Sequence, residues 1–142
     1  MADAIDSAVD WTRFEHARAS LGVNFFRVLT YFHEDGGKAV TAIENAMRMN
    51  DAVALIGPAE LLKSEAVEIG ALGVAELEEE IELQARECVE WHQSPETLLE
   101  EVVKLRAMFG ETVAAFDHEI NPLHVRKPGA VRPTDLLSNR LA

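Results

Sequence analysis

The sequence predicts an all-α fold: an up-and-down antiparallel four-helix bundle with an additional short N-terminal helix. Three observations predict it. Apolar residues recur at helical spacing along most of the chain, with no alternating pattern that would read as a strand. Two of the apolar stripes, Phe25 to Met47 and Leu98 to Ile120, are long and unbroken. The connections between periodic segments are short, which makes sequential helices antiparallel neighbours. With 142 residues, 48% of them hydrophobic, the chain has material for one core and not for two full domains.

Each element has its own signals. Asp10 is placed to cap a first helix with Trp11, Phe14 and Leu21 on one side, and Gly22 punctuates its end. The second stripe is Phe25, Leu29, Phe32, Gly36, Val40, Ile43 and Met47, spaced 4, 3, 4, 4, 3 and 4. It reads as one long helix, with Gly36-Gly37 the place for any bend. A third segment follows Asn50-Asp51 and runs to Ile69, with Gly70 and Gly73 as stop signals. The fourth runs from Val74 to about His92 with Val74, Leu77, Ile81, Ala85 and Cys88 on one face, which leaves Glu78, Glu79, Glu80 and Glu82 to a solvated face. Ser94 as N-cap and Pro95 at the first position open the fifth helix, whose stripe is Leu98, Val102, Leu105, Phe109, Val113, Phe116 and Ile120. Residues 1–120 therefore form the domain. From 121 to 142 the periodicity stops, three of the five prolines occur, and four basic residues face one Asp135, so a flexible or irregular tail is expected.

The charge balance narrows the partners. With 13 Lys+Arg against 25 Asp+Glu the net charge is -12, which argues against nucleic acid and anionic membranes, both polyanions read through Lys and Arg. Most of the excess lies between Glu76 and Glu101, with ten Glu and one Arg. Cys88 is the single cysteine, so no internal disulfide forms, and its place on an apolar stripe reads as a small core residue. The N-terminus, Met1 to Asp6, is acidic where a secretory signal is basic, and the longest apolar run, Ala52 to Ala59, is too short to span a bilayer. A cytoplasmic protein is the expectation.

Catalytic and metal chemistry find little support. In helical bundles a Glu-x-x-His spacing points a carboxylate and an imidazole inward together. The residues three before His16, His33, His92, His118 and His124 are Arg13, Thr30, Val89, Ala115 and Asn121, none of them acidic. There is no Cys-x-x-Cys, no Gly-x-Ser-x-Gly and no phosphate-cradling loop. No catalytic residue, metal or cofactor is expected.

The third segment is the informative one. It reads Ala59-Glu60-Leu61-Leu62-Lys63-Ser64-Glu65-Ala66-Val67-Glu68-Ile69-Gly70. At 100° per residue Leu55, Ala59, Leu62, Ala66 and Ile69 share a face, and Glu60 points away from it with Val53 and Val67, Lys63 on a flank and Ser64 one turn on. This segment resembles the phosphorylation motif of histidine-containing phosphotransfer (HPt) domains, in which a helix presents His-x-x-Lys-Gly and closes on a glycine. The family's lysine falls on Lys63, its closing glycine on Gly70 and the apolar residue before it on Ile69, while Glu60 takes the histidine position and Ser64 that of the next glycine. Val9-Asp10-Trp11, the long second helix with Glu34-Asp35 midway, and the Asn50-Asp51 turn extend the resemblance over roughly residues 9 to 120.

What the resemblance implies is a degenerate member of phosphorelay signal transduction. Glu60 lacks the imidazole nitrogen, and a carboxylate would form only an acyl phosphate. The expected function is a pseudo-HPt adaptor that docks response-regulator receiver domains or histidine kinases through Glu60, Lys63, Ser64, Val67 and Val53 without transferring phosphate. Two alternatives stand beside it: an active relay protein using another histidine, and a helical dimerisation module with no signalling partner. Glu60 also has a purely local reading, in which Gly57 is the N-cap, Pro58 opens the helix and the carboxylate serves the helix N-terminus. If the helix instead runs on from Asp51, Pro58 falls inside it.

Overall fold

The computed structural model describes residues 7–121, and among them every regular element is helical. The tail expected beyond the domain lies, from residue 122 on, outside the described residues. Helix α1 spans Trp11–Leu21, followed by a 3-10 turn Gly22–Asn24. Helix α2 spans Phe25–Arg48, α3 Ala52–Ile69 and α4 Leu72–Glu90. A second 3-10 turn, Pro95–Leu98, leads into α5, Leu99–Ile120. The chain divides into two compact units, one through Thr112 and one from Val113, with α5 running across the division. In the first unit α3 packs against both α2 and α4, and α1 packs on α3 and α2. In the second, Val113 and Phe116 are buried.

The capping chemistry sets the helix starts. Asp10 accepts a hydrogen bond from the Arg13 N–H at 3.0 Å, and Asp51 accepts one from Ala54 N–H at 3.1 Å, so each satisfies a donor that the first helical turn leaves free. Ser94 accepts from Glu96 N–H at the start of the second 3-10 turn. Gly70 ends α3 in the left-handed conformation with φ +87°, where a side chain would be strained and its Cβ would lie 2.5 Å from the Asp10 carbonyl oxygen. Asp10 N–H in turn donates to the Gly70 carbonyl at 2.8 Å, which pins the start of α1 to the end of α3.

The long second helix is continuous through Gly36-Gly37. Gly36 serves packing: a Cβ there would lie 2.6 Å from the Phe109 ring, so its absence lets α2 and the first part of α5 approach. Gly73, expected as a stop signal, is instead the second residue of α4, because the helix already begins at Leu72.

Helix α3 settles the two readings of its start. Asp51 is the N-cap and Pro58 lies inside the helix, so Glu60 is the ninth helical residue and has no N-terminal role. An internal proline costs roughly 3 kcal/mol. Leu55, Leu62 and Ile69 are each at most 1% exposed, and full burial of such side chains contributes about 1.5–3 kcal/mol apiece. The stripe spans Pro58 unbroken at spacing 4, 3, 4 and 3, and its burial outweighs the lost bond.

Helix α4 departs from expectation at its acidic run. Glu79 and Glu80 are exposed, but Glu78 is fully buried and Glu82 nearly so. Glu78 lies one turn from Val74 and three residues before Ile81, inside the apolar register, while Leu77 is only half-buried. No helix of the described residues is long and apolar enough to cross a membrane.

Candidate functional site

The outward face of α3 carries Glu60 at its centre. Its side chain is 59% exposed. Val53, Leu61 and Val67 are exposed around it, as is Ser64, so the face combines one carboxylate with apolar and small groups. Gly57 lies on the same face one turn before Leu61, and nothing stands within 4 Å of where its Cβ would be. A glycine within a helix costs about 1 kcal/mol relative to alanine. No contact in this chain requires it there.

Lys63 does not share that open face. Its ammonium donates to Glu82 Oε1 of α4 at 3.0 Å, in a half-buried position. Glu82 also accepts from Arg86, at 3.1 Å from Nε and 3.0 Å from Nη2, through its second oxygen. Arg86 Nη2 then reaches Glu60 Oε2 at 3.5 Å. The result is a row of alternating charge across the α3–α4 seam: Lys63, Glu82, Arg86, Glu60. Two cations offset two anions.

The electrostatics follow from those bonds. The hydrogen bond from Lys63, and then that from Arg86, hold the Glu82 carboxyl below its ordinary pKa against the opposing effect of burial. Reciprocally, the bond to Glu82 raises the Lys63 ammonium above its usual value. The row weakens toward the surface. Glu60 and Arg86 are both more than half exposed and 3.5 Å apart, and such a pair contributes at most about 1 kcal/mol. Glu60 is therefore available to an incoming group at small cost.

Of the residues expected at this site, Glu60, Ser64, Val53 and Val67 share the open face, and Lys63 lies apart, engaged with α4. Sequence reasoning missed Arg86 and Glu82. Their i,i+4 spacing was a readable signal for a pair, but the link to Lys63 crosses 19 residues and needed the fold. Among the described residues no group of three or more His, Cys, Asp or Glu converges in a way that could hold a metal ion.

A second acidic group needs a separate account. Glu78 is completely buried, and neither carboxylate oxygen has a hydrogen-bond partner. Burial, with a smaller contribution from the negative charge of Glu82, pushes its pKa up to about 8. At neutral pH it is a neutral acid, which is how a chain accommodates a carboxyl group with no cation beside it. No protein-family model, no curated protein and no solved structure matches this chain.

Proposed function

We propose that this chain is a pseudo-HPt adaptor: an up-and-down antiparallel four-helix bundle with an additional short N-terminal helix, which docks a response-regulator receiver domain or a histidine kinase without relaying phosphate. The observation that carries the reading is the placement of Glu60. It projects to solvent from the middle of α3, at the position where the resembled motif has its histidine, on a face with exposed Val53, Leu61 and Val67. Open space above Gly57 supports close approach by a partner.

The chemistry at that position fits docking and not transfer. A carboxylate has no nitrogen to hold a phosphoryl group, and its single charge imitates phosphohistidine only in sign. Lys63, fixed on Glu82, is a support for the α3–α4 seam and steers the row whose outer end is Glu60. The partner contacts on this reading are Glu60, Ser64, Val53 and Val67, with Lys63 acting through Glu82 and Arg86.

The test is a screen of phosphorylated receiver domains against the wild type and Glu60→His, following both binding and label. Wild type is expected to bind at least one receiver and take up no label. Glu60→His is expected to bind the same receiver and gain an acid-labile, alkali-stable phosphoryl group. Binding of no receiver by either protein contradicts the reading, and an acid-labile, alkali-stable label on wild type would make the chain an active relay protein.

A further inference from the structure

A different part of the first unit presents a second surface. The α2–α3 turn and the segment after α4 are joined by a hydrogen bond from Ser94 Oγ to Asn50 Oδ1 at 2.7 Å, and Arg106 of α5 donates to both oxygens of Glu44 on α2, at 3.0 and 2.8 Å. These bonds bring together the end of α2, the end of α4 and the start of α5. Met49, Trp91, Leu99 and Val103 are all more than half exposed here. A groove of about 420 Å³, lined by Met47, Leu99, Val102 and Val103, lies between α2 and α5. Tryptophan, methionine and leucine around a groove form the kind of apolar centre on which binding energy concentrates.

The charges around it select the partner. Arg106 is committed to Glu44, and Lys104 pairs with Glu100. Glu87, Glu90 and Glu96 have no ion pair among the described residues. Glu87 and Glu90 flank Trp91, and Glu96 lines the groove. Against these three carboxylates stands one cation at the rim, Arg48, which bonds Asn45. The rim is thus acidic. A second copy of the chain, placed across a two-fold axis, would set this rim against itself.

We propose that this surface binds a basic amphipathic helical segment of another protein, with the apolar side of that helix against Trp91, Leu99 and Val103 and its Lys or Arg residues against Glu87, Glu90 and Glu96. The geometry is that of an amphipathic helix seated in an apolar groove. It is separate from the Glu60 face, so each stands or falls by its own test.

Calorimetric titration with a roughly 18-residue Leu/Lys peptide, leucines at helical i, i+3, i+4 and i+7 positions, tests it against a Leu/Glu peptide of the same pattern. The Leu/Lys peptide is expected to bind and to blue-shift Trp91 emission, a shift absent in Trp91→Phe. Leu99→Ser with Val103→Ser, both at exposed positions, is expected to weaken binding at least about tenfold with the circular dichroism unchanged. The triple change Glu87→Gln, Glu90→Gln, Glu96→Gln is expected to weaken it comparably and to remove most of its salt dependence. Failure of the Leu/Lys peptide to bind overturns the proposal, as does equal binding of the Leu/Glu peptide. Unchanged affinity in the serine double variant would reduce the effect to general charge attraction and overturn it too. A concentration-dependent dimer in sedimentation that the serine variant disrupts would assign the surface to a second copy instead.

Discussion

Glu78 and Glu82 sit one turn apart on α4 and are both buried, yet they are opposite in every electrostatic respect. Glu82 faces α3 at the level of Lys63 and lies one turn before Arg86, so it stays ionised below the ordinary carboxylate range. Glu78, four residues earlier, has no partner for either oxygen and holds its proton up to about pH 8. The difference teaches that the state of a buried glutamate is decided by what stands across the helix seam, not by its own helix. The two groups consequently oppose one another as pH changes. Glu78's folded pKa lies above its ordinary value, so its stabilising state is fully present below about 4.5 and is lost as pH rises to about 8. Glu82's is depressed, so its contribution is present above the ordinary carboxylate value and lost as pH falls through the lowered one.

The largest effect expected from breaking this contrast is at Glu78. Between pH 4.5 and 8 its titration removes about 1.4 kcal/mol of stability for each pH unit, several kcal/mol in all. Glu78→Met should stabilise the protein by about 2–4 kcal/mol at neutral pH, and Glu78→Gln should flatten the slope without restoring apolar packing. Urea unfolding at pH 5, 6.5 and 8 measures both. A wild-type stability that does not fall over that range would show that Glu78 has a partner in solution.

Removing Glu82 comes next. Glu82→Ala strips charge-assisted bonds from Lys63 and Arg86 and should cost about 1–2 kcal/mol. Unlike the change at Glu78, it should also loosen the seam that supports Glu60, which an altered amide exchange rate in the middle of α3 would report. The smallest effect belongs to the outermost pair. Glu60→Gln and Arg86→Gln, alone or together, should change stability by at most about 0.5–1 kcal/mol, with a coupling near zero above physiological salt. A large coupling there would mean that Glu60 is structurally committed and less available to a partner.

The helices were legible because apolar spacing reports burial directly: the stripes of α2, α3 and α5 are the buried residues of those helices. The caps Asp10, Asp51 and Ser94 stand where polar side chains precede those stripes. Glu78 was legible in principle and masked in practice. It occupies the register Val74, Glu78, Ile81, Ala85 and Cys88, spaced 4, 3, 4 and 3, but a run of four acids around it reads as a solvated face. The extent of α3 was hidden by Gly57-Pro58, whose local preference for a helix start is overridden by the stripe on either side. At the candidate site, the exposure of Glu60 followed from helical geometry. The engagement of Lys63 did not, because its partner belongs to another helix and charge alone does not say which way a lysine turns.

The account centres on the outward face of α3, and an amide chemical-shift map of the labelled protein with a bound receiver domain tests it most directly. The predicted footprint covers Val53, Gly57, Glu60, Ser64 and Val67, and Glu60→Ala weakens it. A footprint confined to Trp91, Leu99 and Val103, or one indifferent to Glu60, would contradict it.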